Sequence, residues 1–387
     1  MLGRIAPFLP EVAEWRHHLH AHPELQFDLQ NTADFVAAKL QEFGCDEIVG
    51  GLGRTGVVGI IRGRSDQGRT IALRADMDAL PITEATNLPY RSRTPGLMHA
   101  CGHDGHTSML LGAARYLAAT RQFAGTAVLV FQPAEEGGAG GAQAMIDDRL
   151  IERFNIDEFY GMHNWPGISV GKFAIRSGSM MAAFDGFEIN VEGVGAHAAS
   201  PNLAVDTVVV LASIVTATQS IVARNIDPLD AVVISACQIH AGEADNVIPR
   251  FGRLSGTVRT LTNEASRFCE ARIREVAEAT ARAYGATAQV GYVRKIPAMI
   301  NEEACTERLV KAASGVVGQG RVDTSIAPQM GSEDFAAFLQ HRPGAYILVG
   351  NGSTPPVHSP AYDFDDNVLP FGISLWAALV ESRLPLS

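Results

Sequence analysis

Cysteine is scarce in this chain of 387 residues, with five at the irregularly spaced positions 45, 101, 237, 269 and 305. An odd number without regular spacing does not suit a disulfide framework, so we expect a reducing compartment, the cytoplasm. Positive charge is also scarce, because 31 Lys and Arg stand against 42 Asp and Glu, for a formal net charge of -11. Nucleic acid is therefore not an expected partner.

Long uninterrupted apolar runs are missing too. The longest apolar stretch, Leu203 to Val222, contains Asp206 and Gln219 and favours a buried helix over a membrane span, so no membrane partner is expected. The first residues lack a long apolar core followed by a cleavage site, and no secretory signal is expected. The sequence contains no internal repeat, and its length is sufficient for two domains.

Helical and strand patterns alternate through the first 183 residues. Thr70 to Arg74 and Thr126 to Phe131 are short apolar or β-branched runs typical of buried strands, and Thr107 to Ala119 has helical spacing. The alternation predicts an α/β domain in which helices cover a mixed, largely parallel sheet.

The pattern changes at residue 184. Phe187, Ile189 and Val191 alternate with polar residues, which indicates a strand with one solvated face. The predicted order β-α-β-β-α-β over residues 184–296 is that of a ferredoxin-like α+β domain. After residue 297 the helix-strand alternation returns, so we predict that residues 1–183 and 297–387 are two parts of one domain and that 184–296 is an insertion.

Cys101 and His103 precede a predicted helix, which places them on a loop where ligands can converge. Thiolate and imidazole are ligands for zinc-like ions, although a buried free Cys beside a surface His is the alternative. Asp104 could cap the helix that follows.

Glu135 and Glu136 follow the predicted strand Thr126 to Phe131 and precede a glycine-rich run. Adjacent carboxylates commonly form a solvated turn. Because open α/β sheets bind ligands where strands end, one carboxylate could instead bind metal while the other holds the water.

Single histidines follow at His163, at the end of a predicted strand, and at His358, between prolines that stiffen its loop. Each could be a metal ligand or a hydrogen-bonded structural residue. The four N-terminal histidines His17, His18, His20 and His22 are scattered around a helix, and for them we predict surface and capping roles.

Several long motifs occur in one order along nearly the whole chain: Leu73-Arg-Ala-Asp-Met-Asp-Ala-Leu-Pro81, Met98-His-Ala-Cys-Gly-His-Asp-Gly-His-Thr107, Phe131-Gln-Pro-Ala-Glu-Glu-Gly137, Gly195-Ala-His-Ala-Ala-Ser-Pro201 and Gly331-Ser-Glu-Asp-Phe335. In these motifs the chain resembles the hippurate hydrolase and N-acyl-amino-acid amidohydrolase branch of the aminoacylase/carboxypeptidase metallopeptidases. The resemblance implies a two-metal catalytic domain interrupted by a dimerisation or lid domain, and a homodimer.

By motif position, the resemblance implies one general acid/base, Glu135, and five metal ligands: Cys101, His103, Glu136, His163 and His358. Where many relatives carry His-x-Asp, this chain has Arg74-Ala-Asp76, and Asp76 is expected to orient a ligand or to have a structural role.

Three further roles come from the resemblance. His197 matches a histidine that polarises the scissile carbonyl, often in the partner subunit's site. Asn246 and Arg259 match residues that bind the substrate's carboxylate or the oxyanion. A polar loop residue and an exposed strand charge are the alternatives for His197 and Arg259.

The resemblance therefore predicts hydrolysis of an N-acyl amino acid to a carboxylic acid and a free amino acid. The expected cofactors are two divalent ions, which could be zinc, manganese, cobalt or nickel. A dipeptidase or carboxypeptidase, and a catalytically silent protein that binds acyl amino acids, are the alternatives.

Overall fold

The computed structural model describes residues 2–386, including every side chain except that of residue 66. The chain divides into two compact units. The first comprises Met1–Met180, Ile300–Ala327 and Asp334–Ser387, and the second comprises Met181–Met299 and Pro328–Glu333.

The helices and strands alternate along most of the chain. The helices are α1 Leu2–Ile5, α2 Leu9–Ala21, α3 Gln30–Glu42, α4 His103–Thr120, α5 Gly141–Asp147, α6 Leu150–Arg153, α7 Thr207–Asn225, α8 Asn263–Ala283, α9 Glu303–Val317, α10 Ala336–Leu339 and α11 Leu369–Arg383. The strands are β1 Glu47–Leu52, β2 Gly56–Arg62, β3 Ser65–Asp76, β4 Ala124–Gln132, β5 Glu158–Trp165, β6 Phe173–Ala174, β7 Gly178–Met181, β8 Ala183–Glu192, β9 Ala196–His197, β10 Val232–Ala241, β11 Val247–Ile248, β12 Phe251–Thr260, β13 Thr287–Ile296, β14 Met299–Asn301, β15 Val322–Asp323 and β16 Gly344–Gly350.

An eight-stranded mixed sheet forms the centre of the first unit, in the order β1-β2-β4-β3-β5-β16-β6-β15. Its middle strands β4, β3, β5 and β16 are parallel, and β1 and β2 are antiparallel to their neighbours. The middle strands are almost entirely buried because helices cover the sheet, as continuous apolar runs require. The prediction of a helix-covered, largely parallel mixed sheet is confirmed.

Parallel strands bring their carboxyl ends to one edge of this sheet. Asp76 is the last residue of β3 and pairs with Gln132, the last residue of β4. In β5, His163 lies beside Leu348 of β16, two residues from the end of each strand. Side chains that the sequence separates by tens or hundreds of residues therefore meet at this edge.

The second unit has a four-stranded antiparallel sheet in the order β10-β12-β8-β13. Helices α7 and α8 pack on one face, and the alternation in β8 buries Phe187, Ile189 and Val191 in the core below them. The chain order β-α-β-β-α-β with this strand order is ferredoxin-like, so the predicted inserted α+β domain is confirmed.

A short segment of the later chain also groups with the second unit. Pro328–Glu333 lies in the range 297–387 that the sequence assigned to the first unit. The backbone N–H of Ala182 donates to the carbonyls of Gln329 and Gly331 at 3.0 and 2.9 Å, which ties this segment to the start of the insertion.

Helix α7 is long and apolar enough, by length and composition alone, to cross a bilayer. One such helix is weak evidence for a membrane protein, because the core helix of a folded domain passes the same test. Val210, Leu211, Ile214 and Ile221 of α7 are fully buried in the core of the second unit. The sequence interpretation of this stretch as a core helix agrees with that packing.

Candidate metal centre

The structure brings the five predicted ligands together at the carboxyl edge of the large sheet. Ligand atoms of Cys101, His103 and His163 lie within 4.8 Å of one another, and those of Cys101, Glu136 and His358 do the same. Cys101 belongs to both groups, so its thiol lies between two sets of donors. Two divalent cations sharing one thiolate would satisfy this arrangement.

Individual contacts define the two groups more closely. The Sγ of Cys101 lies 3.3 Å from Nε2 of His163. The Nε2 of His358 lies 3.2 Å from Oε1 of Glu136. A third group places an oxygen of Glu135 within 4.8 Å of donor atoms of His103 and Glu136, so the predicted acid/base borders both sets.

Buried polar atoms without hydrogen bonds support a cation site. Among the described residues, both ring nitrogens of His103 and Oε1 of Glu136 are buried without a hydrogen-bond partner. Leaving buried polar atoms unpaired is costly, and cation ligation would satisfy them. The donor set of one thiol, three imidazoles and a carboxylate therefore fits divalent metal ions of the zinc class.

His163 is prepared as a neutral ligand. Its Nδ1 lies 2.5 Å from the carbonyl oxygen of Asn164, which accepts the ring proton and leaves the Nε2 lone pair facing Cys101. Burial, and then the neighbouring His106, hold the pKa of His163 well below its usual range. The ring therefore stays unprotonated, as metal ligation requires.

Helix α4 begins at His103, four residues before the predicted start at Thr107, so His103 lies in a first helical turn and not on a loop. Gly102 precedes the helix with a φ of 92°, and a side chain there would collide with Asn164 and Tyr362. Glycine at this position thus permits the turn between Cys101 and His103.

Asp76 contacts Arg74 and His106 more closely than any predicted ligand. Its Oδ2 accepts from Arg74 Nη1 at 2.7 Å, and its Oδ1 lies 2.6 Å from His106 Nδ1. His103 Nε2 is 3.6 Å from Oδ2. Burial alone would raise the pKa of Asp76, but His103 and Arg74 hold it well below its usual range.

Arg74 and His106 are two residues whose contacts the sequence did not suggest. Arg74 also donates from Nη2 to Asp334 at 3.0 Å, which joins the first motif to the Gly331–Phe335 motif. His106 bridges Asp76 to Asn164, the neighbour of His163, through an Nε2 to Oδ1 distance of 2.7 Å. These partners lie on β3, α4, β5 and the Gly331–Phe335 segment, which are far apart in the sequence, so no local pattern could reveal them.

Two residues at the site have a positive φ, a left-handed backbone conformation that residues with a side chain rarely adopt. Ala134, next to Glu135, has a φ of 54°, and His358 has a φ of 64°. Such left-handed conformations cost of the order of 1 kcal/mol and are found at sites where geometry is fixed by function. His358 is also the most open donor, with a side chain 52% exposed, against 10% for its neighbour Glu136.

The remaining predicted residues lie in the second unit. His197 in β9 pairs with Val247 in β11, and the carbonyl of Asn246 accepts from the N–H of Ala198 at 3.0 Å, so His197 and Asn246 lie on one small ribbon. Nδ1 of His197 accepts from the N–H of Ala199 at 3.0 Å. In the neutral ring the proton is therefore on Nε2, which is available as a donor.

Arg259 is half-buried on β12. Its Nη1 donates to Ser332 Oγ at 2.6 Å, and its guanidinium lies 4.0 Å from the ring centre of Phe184. It is thus not the freely exposed strand charge that was its alternative interpretation.

The prediction of surface and capping roles is wrong for His20. The side chain is completely buried, with Nδ1 2.9 Å from Oδ2 of Asp104 and Nε2 3.5 Å from Glu84. Burial opposes its charge, but Asp104 and Glu84 raise its pKa to about 9. Asp104 thus pairs with His20 instead of capping α4, whose N-cap makes no side-chain hydrogen bond.

Comparison with known proteins identifies the family of this chain. Residues 72–382 match the profile of peptidase family M20/M25/M40. The chain belongs to this family. The predicted resemblance is therefore confirmed, and the two donor groups described above agree with the dinuclear metal binding of an M20 peptidase of Bacillus subtilis.

Three M20 relatives cover nearly all of the chain. A hippurate hydrolase of Campylobacter jejuni is 41% identical over 98% of this chain and 98% of its own length. Thermostable carboxypeptidase 1 of Saccharolobus solfataricus is 38% identical over 95% of each chain. The crystal structure of a dinuclear metal-binding peptidase of Bacillus subtilis is 34% identical, with a TM-score of 0.86 over 98% of this chain and 99% of that one.

Proposed function

We propose that this protein hydrolyses the amide bond of N-acyl amino acids, such as hippurate or N-acetyl amino acids, to a carboxylic acid and a free amino acid. The observation that carries the proposal is the convergence, at one site, of Glu135 with five side chains whose atoms could hold a metal ion. The similarity to a hippurate hydrolase supports the substrate class.

The two donor groups define the proposed ligand sets. Cys101, His103 and His163 would hold one cation, Glu136 and His358 would hold the other, and the thiolate of Cys101 would contact both. Bound divalent cations would supply Lewis-acid activation of a water and of the substrate carbonyl. Zinc suits a Cys/His/Glu set, and manganese, cobalt and nickel are the alternatives.

Glu135 is the proposed general base and acid. It takes the proton of the attacking water and returns it to the departing amine nitrogen. Glu135 is 9% exposed and its carboxylate adjoins both donor sets, which suits a group that must move a proton in a site from which water is largely excluded.

Three further residues are proposed to hold the substrate. We assign His197 Nε2–H to polarising the scissile carbonyl, because its Nδ1 is already used as an acceptor. Asn246 and Arg259 are assigned to binding the substrate's carboxylate or the oxyanion. Asp76 is assigned to holding His106. His106 in turn contacts Asn164, whose backbone carbonyl lies against Nδ1 of His163.

We further propose a cytoplasmic homodimer that acts on a small molecule and binds neither nucleic acid nor membrane. All five cysteines are free thiols, as a reducing compartment requires. The second unit exposes apolar side chains on α7, with Val208 and Val209 at 45% and 47%, and on the edge strand β10, with Ile239 at 50%. A second copy could cover this face and pair with the open strand edge.

A carboxypeptidase or dipeptidase is the second candidate, because the same attack cleaves a peptide bond and a carboxypeptidase is 38% identical to this chain. A silent binding protein is the third candidate, but it would have no need of Glu135. The test is amine release from hippurate, N-acetyl amino acids and dipeptides by the metal-loaded protein, its Glu135→Gln variant and an exposed control, Glu264→Gln.

The proposal expects N-acyl amino acids to be the best substrates and Glu135→Gln alone to lose most turnover while keeping its metal. Faster cleavage of dipeptides would favour the second candidate. Absence of amine release from every substrate would favour the third.

A further inference from the structure

Asp78 links two segments of the metal centre, the turn that carries Glu135 and the start of α4, although it belongs to neither. It lies two residues beyond the end of β3 and is 1% exposed. Its Oδ1 accepts from the backbone N–H of Glu135 at 3.1 Å, and its Oδ2 accepts from the N–H of Glu136 at 3.0 Å. One buried carboxylate thus accepts hydrogen bonds from the consecutive backbone N–H groups of the proposed base, Glu135, and of a proposed ligand, Glu136.

The same carboxylate also faces the start of α4. Oδ1 of Asp78 lies 3.4 Å from Nδ1 of His103, while Asp76 lies 3.6 Å from Nε2 on the opposite side of that ring. Whichever nitrogen binds a cation, the other faces a buried carboxylate that can fix the ring's orientation.

The turn that carries Glu135 needs such support. It begins with Ala134 at a φ of 54° and continues into Gly137 and Gly138, both with a φ of 69°. A turn built from one disfavoured and two permissive backbone positions has little intrinsic preference for a single conformation. The two hydrogen bonds from the backbone N–H groups of Glu135 and Glu136 to Asp78 hold this turn from the β3 side.

We propose that Asp78 is a positioning residue for the general acid/base Glu135. By accepting hydrogen bonds from the backbone N–H groups of Glu135 and Glu136, it holds the carboxylate of Glu135 at the distance from the donor groups that proton transfer requires. The inference rests on the proposed role of Glu135. It assigns to Asp78 no contact with substrate and no share in the proton transfer itself.

The test compares Asp78→Asn, Asp78→Ala and the matched control Asp157→Asn in the metal-loaded protein. Asp157 is a half-buried carboxylate that accepts the Thr70 N–H at 2.9 Å at the opposite end of the same strands. We expect Asp78→Asn to lower kcat about 10- to 100-fold with KM changed by less than about threefold, and Asp157→Asn to change neither.

Two further measurements separate positioning from a general structural role. In a Glu135→Gln background, Asp78→Asn should lower kcat by no more than about threefold, because residues that act as a unit are not additive. Hydrogen exchange of the peptide spanning residues 133–138 should be faster in both Asp78 variants, while metal content stays at about two per chain, as the ligand groups require.

Several results would overturn the inference. These are an unchanged kcat, the same loss of kcat in both backgrounds, unchanged exchange of residues 133–138, or activity lost in proportion to metal. Failure of both variants to yield folded, metal-loaded protein would also overturn it, since Asp78 would then act on the whole fold. If Glu135→Gln itself leaves kcat intact, it is the proposed function that fails.

Discussion

We expect replacement of His20 by Gln to make the protein's stability less dependent on pH. Asp104 and Glu84 raise the folded-state pKa of His20 from 6.5 to about 9 against the effect of burial. At about 1.4 kcal/mol per pH unit, this difference amounts to about 3 kcal/mol of stability in favour of the charged ring. Because the folded pKa is the higher one, the contribution is fully present below pH 6.5 and is lost as the pH rises through about 9.

The variant isolates this contribution, because all other titrating groups are shared with the parent. The linkage relation leaves about 2 kcal/mol near pH ~7.5 and almost none near pH ~9.5. At roughly 1–2 °C per kcal/mol for a chain of this length, the gap between the melting temperatures of the parent and His20→Gln should narrow by about 2–4 °C over that range. Thermal melting of the metal-loaded proteins at matched scan rates measures this gap. The control is His341→Gln, a substitution at an exposed histidine. A gap that stays constant across this range would refute the reasoning.

Other predictions concern the metal centre and its surroundings. Cys101→Ser should lose both cations, so elemental analysis should fall from about two metals per chain to below one, whereas retention of two would contradict the shared thiolate. The pKa of His103 is raised to about 10, since Asp76 and Asp78 outweigh burial. Metal binding at neutral pH should therefore release at least about one proton, seen as buffer-dependent calorimetric heats and as weaker binding toward acid. Arg74→Met should destabilise the fold by about 3–5 kcal/mol by leaving Asp76 and Asp334 buried without their cation, and Arg74→Lys should cost less. Equal melting temperatures of these two Arg74 variants would argue against the charge pairing.

The alternation of buried and polar residues in β8 was enough to predict the inserted ferredoxin-like unit, because a half-buried strand imposes a period of two on its own sequence. The buried runs in β3 and β4 predicted the sheet for a related reason. By contrast, β1 was missed, because its Glu47-Ile-Val-Gly-Gly-Leu52 sequence lacks both patterns and it forms only by pairing with β2.

The error over His20 has its physical origin in pairing between residues that lie far apart in the chain. Val12, Arg16 and His20 form one face of α2, and two charged residues on that face suggest solvent exposure. Arg16 and His20 can be buried because Asp104, 84 positions beyond His20, and Asp366 supply compensating charge. The start of α4 was placed too late because Gly102 and Gly105 suggest a loop, although Gly102 permits the turn into the helix.

The proposed ligand assignments and domain boundaries stay predictions. They were obtained from motif positions, and the geometry brings the ligands together without testing their roles. Arg74 shows what motif positions alone could not supply: its guanidinium ties Asp76 to Asp334, which makes it part of the scaffold behind the ligands.

The unequal exposure of the two donor groups has a kinetic consequence. His163 and His103 are sealed in the interior, whereas His358 stands half in solvent at a strained backbone position. A cation held by Glu136 and His358 should consequently exchange with the medium sooner than its neighbour. Chelator titration should therefore proceed in two phases, through a half-loaded species that retains the deeper ion and accepts a different metal at the rim.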